Sequence, residues 1–287
     1  MQGVVPGSSR FLGSIDSLEN AGVVLMGAPF DGTASFWPGT RFAPSRIRDV
    51  SGSLEEYSPL LDKSLLEAAF YDAGDVEIPL GDTTTALSRI EKVVRLEVLS
   101  RGKRPFFLGG EHLISLPIIR AAHQAYPDLA VLHFDAHADL RDSYLGAKHS
   151  HATVMRRVCE QVGPQNVYQF GVRSGSKEEF AYARQHVRFY PYEVVGPLRH
   201  VLSQLDERPV YVTLDIDVID PGYAPATGTP EPCGCTPHEL VQALHVLAAA
   251  RVVGFDLVEL CPLAESGVAT SVLAAMLMRE ALLSFGS

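Results

Sequence analysis

The sequence predicts an α/β fold in which a parallel sheet carries helices on both faces. Two observations predict it. Short apolar, strand-like runs alternate with helix-like stretches from Val23 to Leu283, and several of those runs stop abruptly in acidic or glycine-rich clusters. A βαβα rhythm of this kind folds as a sheet between helical layers. The 287 residues contain no low-complexity linker and no internal repeat, so 1–287 is read as a single domain.

The elements follow in order. Val23-Val24-Leu25-Met26 is a short buried strand before Gly27. From Leu87 to Leu99, apolar residues at Leu87, Ile90, Val94 and Val98 repeat at helical spacing. Pro105-Phe106-Phe107-Leu108 reads as a buried strand, and Gly109-Gly110 permits a sharp turn into a helix near Leu113. Leu129-Ala130-Val131-Leu132 is a strand that runs into His133-Phe134-Asp135-Ala136-His137-Ala138-Asp139. Val167 to Val172 is another strand, followed by a helix start at Lys177. Pro209 to Leu214 ends in Asp215-Ile216-Asp217. Thr236 is an N-cap, with Pro237 at the first helical position and Glu239 closing a capping box. Val252 to Val258 completes the strands, just before Glu259.

Composition narrows the function. The net charge of −10 argues against nucleic acid, which needs a basic face, and suits a cationic substrate. No run is expected to approach the length needed to span a bilayer, and Met1 to Pro6 lacks a signal-peptide pattern. The four cysteines, Cys159, Cys233, Cys235 and Cys261, fit neither a zinc ribbon nor a disulfide scaffold, so reduced thiols in a cytoplasmic protein are expected.

The acidic clusters carry the chemistry. Within each, metal-capable side chains recur at a spacing of two, which sends them to one side of an extended chain. In an open parallel sheet the strand ends share one edge, where ligands bind. Carboxylates crowded there repel unless a cation sits among them. Oxygen donors with a few imidazoles and no thiolate favour a hard divalent ion. A metal site, with two ions, is the expectation.

These motifs resemble the ureohydrolase (arginase–agmatinase) family. The resemblance rests on Gly109-Gly110-Glu111-His112, on Asp135-Ala136-His137-Ala138-Asp139 and on Asp215-Ile216-Asp217-Val218-Ile219-Asp220-Pro221. It extends to Gly27-Ala28-Pro29-Phe30-Asp31, Arg41 to Arg48, Ala224 to Glu231 and Phe255 to Leu260. It implies a three-layer α/β/α sandwich with a parallel central sheet. It also implies two Mn2+ per chain, held by His112, Asp135, His137, Asp139, Asp215 and Asp217. Asp135 and Asp215 would bridge the ions, His112 and Asp139 would complete one sphere, and His137 and Asp217 the other. A metal-bridging hydroxide would attack the guanidino carbon, with Asp139 taking its proton. Glu259 would hold the guanidinium, and His151, with His149 as competitor, would protonate the leaving amine.

The loop Leu140 to Lys148 lacks the arginase head-group pattern and resembles bacterial agmatinases, as does Phe170 to Gly175. Agmatine hydrolysis to putrescine and urea is therefore expected, with Asp142 as an anchor for the ammonium. Arg141 keeps guanidinobutyrase and arginase activities as alternatives. A non-catalytic, metal-stabilised binding protein is the alternative of another class. The resemblance further implies a homo-oligomer, a trimer or hexamer. One departure stands out: Cys233 occupies a position where relatives commonly have glycine.

Overall fold

The computed structural model describes residues 1–264 and 267–286. In chain order the strands are β1 (Val4–Val5), β2 (Val23–Ala28), β3 (Tyr57–Ser58), β4 (Lys63–Ser64), β5 (Phe70–Val76) and β6 (Arg104–Gly109). They continue with β7 (Ala130–Phe134), β8 (Val167–Phe170), β9 (Arg188–Tyr190), β10 (Pro209–Asp215) and β11 (Arg251–Val258). The helices are α1 (Ala43–Ser51), α2 (Thr83–Val93), α3 (Ser115–Ala125), α4 (Val154–Val162), α5 (Lys177–His186), α6 (Val195–Leu205), α7 (Pro237–Val246) and α8 (Gly267–Phe285). Nine strands form one sheet in the order β1-β5-β2-β6-β11-β10-β7-β8-β9, and β3 pairs β4 in a separate hairpin. Within the large sheet only the β1–β5 pair is antiparallel.

Side-chain alternation builds the three layers. Leu25, Phe106, Leu132, Val212 and Phe255 face a core shared with α1, α6, α7 and α8. Their neighbours Met26, Phe107, Val131 and Tyr211 face a second core with α2, α3 and α4. A strand buried on both faces reads as a continuous apolar run, which is why these segments were conspicuous in the sequence. The expected capping box is present: Glu239 N–H donates to Thr236 Oγ1, and Glu239 accepts from Thr236 N–H at 2.8 Å. α2 keeps its apolar stripe but loosens after Val93 into wider turns over Val94–Val98.

One expectation about membranes needs correction. α8 is long and apolar enough to cross a bilayer, with a mean hydropathy of 1.5. Its apolarity has another cause. Ala274, Ala275, Leu277, Met278, Ala281 and Leu282 are all buried in the first core, against α1 and α7. A helix covered nearly all round has no polar stripe to interrupt the run.

A second buried feature sets the frame near the N-terminus. Arg48, 2% exposed, donates to Asp72 from Nε (2.8 Å) and Nη2 (3.0 Å), to Asp75 from Nη1 (2.6 Å) and to Gly74 O from Nη2 (2.9 Å). It ties α1 to β5.

Candidate metal centre and active site

Four adjacent strands deliver their carboxyl ends to one place. Parallel register aligns Leu108 with Leu257, Val258 with Asp215 and Leu214 with Phe134. The residues just beyond β6, β11, β10 and β7 therefore converge. After β6 the chain must turn at Gly110, where an added Cβ would stand 2.0 Å from Phe30 O. The turn places His112 at the start of a short helical turn, His112–Ile114.

His112 is the hub. Its Nδ1 lies 3.0 Å from Asp135 Oδ2, 3.3 Å from Asp215 Oδ2 and 3.5 Å from Asp139 Oδ2. Its Nε2 is 2.9 Å from Thr213 Oγ1, which donates to Asp256 Oδ1 at 2.6 Å. Tyr211 donates to the other oxygen of Asp256 at 2.6 Å. With the Thr213 proton committed to Asp256, the threonine accepts from His112 Nε2–H, which leaves the Nδ1 lone pair aimed at the carboxylates. Burial opposes charge on His112, but Asp135 and Asp215 push its pKa well up. The Nδ1 position therefore calls for positive charge, as a proton or a cation.

The second group forms around Asp135. His137 Nδ1 is 2.9 Å from Asp217 Oδ2 and 3.5 Å from Asp135 Oδ1. Backbone amides orient the acids: His137 N–H donates to Asp135 Oδ1 (2.6 Å), Ala136 N–H to Asp217 Oδ1 (3.0 Å) and Asp217 N–H to Asp215 Oδ1 (2.8 Å). Burial, with neighbouring carboxylates adding to it, pushes Asp139 and Asp215 well above the usual range.

This donor set fits a pair of divalent ions. Ligating atoms of His112, His133, Asp135 and Asp139 lie within 4.8 Å of one another, as do those of Asp135, His137 and Asp217. Asp135 belongs to both groups. His112 Nδ1 and Asp217 Oδ2 are buried without a hydrogen-bond partner, as expected of atoms whose lone pairs serve a metal.

The structure thus brings together all six residues that the sequence suggested. It also adds His133, which the sequence reading left out of the ligand set. His133 Nδ1 is 3.0 Å from Gln169 Nε2, which also donates to Ala138 O, so this ring nitrogen accepts. Its Nε2 then donates to Asp135 Oδ2 at 2.8 Å. His133 orients Asp135 and has no lone pair left for an ion. Its spacing of two from Asp135 was the available signal.

A cavity of about 220 Å³ opens beside the cluster, lined by His137, Asp139, His151, Asp215 and Glu259, with Ser35, Arg141, Tyr144, Ser174 and Thr229 among its other residues. Glu259 follows β11 in a left-handed conformation (φ 65°), as does Asp139 (φ 53°), an uncommon backbone for non-glycine residues. Glu259 Oε1 accepts from His112 N–H at 2.7 Å. Burial pushes its carboxyl up to about 7. His151 reaches the cavity, whereas His149 is exposed and is not among the lining residues.

Asp142 departs from its expected place. It is exposed, lies outside the cavity lining and accepts from Arg157 Nη2 at 3.0 Å. Arg141 does line the cavity, but its Nε is 3.4 Å from Glu179 Oε2 and its guanidinium stacks over Tyr144. The loop turns Asp142 away toward α4, where a cation already waits.

Arg173 holds the outer loops. It donates to the carbonyls of Asp217 (2.7 Å), Glu231 (2.8 Å), Pro232 (2.9 Å), Val218 (3.2 Å) and Gly171 (3.3 Å). The nearby Cys233 is exposed and left-handed (φ 68°), a conformation that favours glycine.

Comparison with known proteins agrees with this geometry. The arginase family profile matches residues 21–284. The agmatinase of Bacillus anthracis is 49% identical over 278 residues, 96% of each chain, and that of Bacillus subtilis 48% over the same span. The agmatine ureohydrolase of Thermoplasma volcanium superposes with a TM-score of 0.88 at 36% identity, covering 98% of this chain and 95% of the other. The chain belongs to the arginase family, and its fold is the three-layer sandwich of that family.

Proposed function

We propose that this member of the arginase family is an agmatinase, which hydrolyses the guanidino group of agmatine to release urea and leave putrescine. The observation that carries the reading is the convergence of six histidine and aspartate ligands beside a cavity that also holds Glu259 and His151. The near-full-length identity to agmatinases supports the choice of substrate. His112, Asp135, His137, Asp139, Asp215 and Asp217 would hold two manganese ions. Bound there, the ions supply a water of lowered pKa for attack on the guanidino carbon.

The chain's own residues do the rest. Glu259 offers one carboxylate oxygen to the guanidinium, since His112 N–H already fixes the other. The substrate's positive charge relieves the buried carboxylate, which burial otherwise pushes toward neutrality. Asp139 accepts the proton released by the attacking water. His151 gives a proton to the departing amine. Burial holds its imidazole down at about 4, so the protonated form is a strong acid. The ammonium end of the substrate is not assigned to Asp142, which Arg157 occupies.

Polyamine synthesis, a cytoplasmic location and a homo-oligomeric state accompany this reading. The test is urea release from agmatine, arginine and guanidinobutyrate with added manganese. Agmatine should lead by about tenfold or more in kcat/KM, a difference near 1.4 kcal/mol in transition-state stabilisation. Comparable rates on arginine would move the assignment to another substrate. No urea from any guanidine would favour a binding protein.

A further inference from the structure

We propose that Glu111 and Thr33 form a positioning relay that fixes the His151 imidazole with its proton on Nδ1 and its Nε2 lone pair turned toward the Ser35 hydroxyl and the cavity. The inference rests on the reading of His151 as the proton donor and names what orients it. Glu111 sits inside the Gly-Gly-Glu-His motif, beside a metal-ligand candidate, yet has no place among the ligands. It is 1% exposed and turns to a different segment. Both of its oxygens accept from Thr33: Oε2 from the backbone N–H at 2.8 Å and Oε1 from the hydroxyl.

The proton inventory of Thr33 decides the rest. A hydroxyl has one proton and two lone pairs. Burial, with the Glu259 charge adding to it, pushes the Glu111 carboxyl up to about 8; the two cations proposed for the adjacent centre favour its ionised form, and to that carboxylate the Thr33 proton goes in a short hydrogen bond. One lone pair accepts the backbone N–H of His151 at 3.0 Å. The other faces His151 Nδ1 at 3.3 Å. With its proton committed, Thr33 can only accept from the ring, so Nδ1 carries the hydrogen. On the other side, Nε2 lies 3.3 Å from the hydroxyl of Ser35, which is free to donate to it. Ser35 and His151 both line the cavity. The Tyr144 ring meets His151 edge-on, with centroids 5.7 Å apart at 82°, and limits its tilt.

Three separate segments meet here: the loop after β2, the turn after β6 and the turn His151–Thr153 before α4. A carboxylate that orients an imidazole through a hydroxyl serves two ends. It keeps the neutral ring in the one tautomer able to take up a proton at Nε2. It also places an acceptor against Nδ1–H when the ring is cationic, before the proton passes to the amine nitrogen.

The experiment compares Thr33→Val, Thr33→Ser and His151→Asn in the manganese-loaded enzyme, with agmatine as substrate and metal content measured for each. Thr33→Val should lower kcat by about tenfold or more while KM stays within about twofold and both metals remain. Thr33→Ser, which keeps the hydroxyl, should recover most of the rate. In parallel, 15N spectra of histidine-labelled, magnesium-loaded enzyme should show His151 as the Nδ1–H tautomer, a readout independent of turnover. An Nε2–H tautomer in the parent protein would overturn the relay even if the valine variant fails to fold. So would a Thr33→Val kcat within about twofold of the parent while His151→Asn is slow. A His151→Asn enzyme as fast as the parent would instead reject the proton-donor role itself.

Discussion

Replacing Thr213 by valine should weaken metal binding without touching a ligand. Thr213 Oγ1 is the acceptor for His112 Nε2–H at 2.9 Å and passes its own proton to Asp256 at 2.6 Å. All three side chains are buried at 0–1% exposure. Valine matches threonine in shape but offers nothing to the imidazole. A buried donor left unpaired costs about 1–3 kcal/mol. At about 1.4 kcal/mol per decade this is roughly a 5- to 150-fold loss of affinity. The independent expectation for losing a hydrogen bond behind a ligating histidine is about 10- to 100-fold, so the two agree. The assay is a manganese titration followed by the electron paramagnetic resonance signal of the free ion. Thr213→Ser keeps the hydroxyl and should stay close to the parent. If Thr213→Val binds both ions within about twofold of the parent, then the chain from His112 to Asp256 does not set the imidazole, and the reasoning fails.

Three further outcomes follow from the same geometry. Asp142→Asn should leave the agmatine KM within about twofold, measured by urea release, because Arg157 and not substrate holds this carboxylate. Arg48→Met should cost about 3–5 kcal/mol in urea unfolding, since it strips the buried Asp72 of its partner; a loss under about 1 kcal/mol would show that Asp72 neutralises or rehydrates freely. A thiol titration of the folded protein at pH 8 should find one reactive cysteine, the exposed Cys233. Burial pushes Cys159 and Cys235 up to about 12 and raises the buried Cys261 as well, so those three thiols stay protonated and silent until the protein unfolds.

The sequence made the layers readable because strands buried on both faces, such as β2, are nearly unbroken apolar runs. The ligands were readable because each cluster is local: Asp135, His137 and Asp139 share one strand end, and Asp215 and Asp217 another. What stayed hidden depends on contacts between distant segments. Nothing in the spacing of Thr33, Glu111 and His151 announces that they touch, nor that Thr213 lies between His112 and Asp256. Asp142 was misplaced for the same reason. A competing pair with its neighbour Arg141 was visible in the sequence, but the partner that takes it is Arg157, fifteen residues away on α4. α8 shows the reverse problem: the sequence reading passed over a helix long and apolar enough to span a bilayer, and packing identifies it as a core helix.

The five carbonyls gathered by Arg173 constrain how this scaffold can be changed. One guanidinium ties the segment after β8 to the ends of two stretches that follow β10, around residues 217–218 and 231–232. A designer who swaps only the 229–235 stretch to alter substrate choice, and so changes its backbone path, moves the Glu231 and Pro232 carbonyls away from the Arg173 donors that hold them. The resulting slack passes straight to Asp217 through its own carbonyl. Substrate choice and metal geometry are mechanically geared together at this point. Transplants between relatives should therefore move 171–175, 216–220 and 229–235 as one cassette, with Arg173 included.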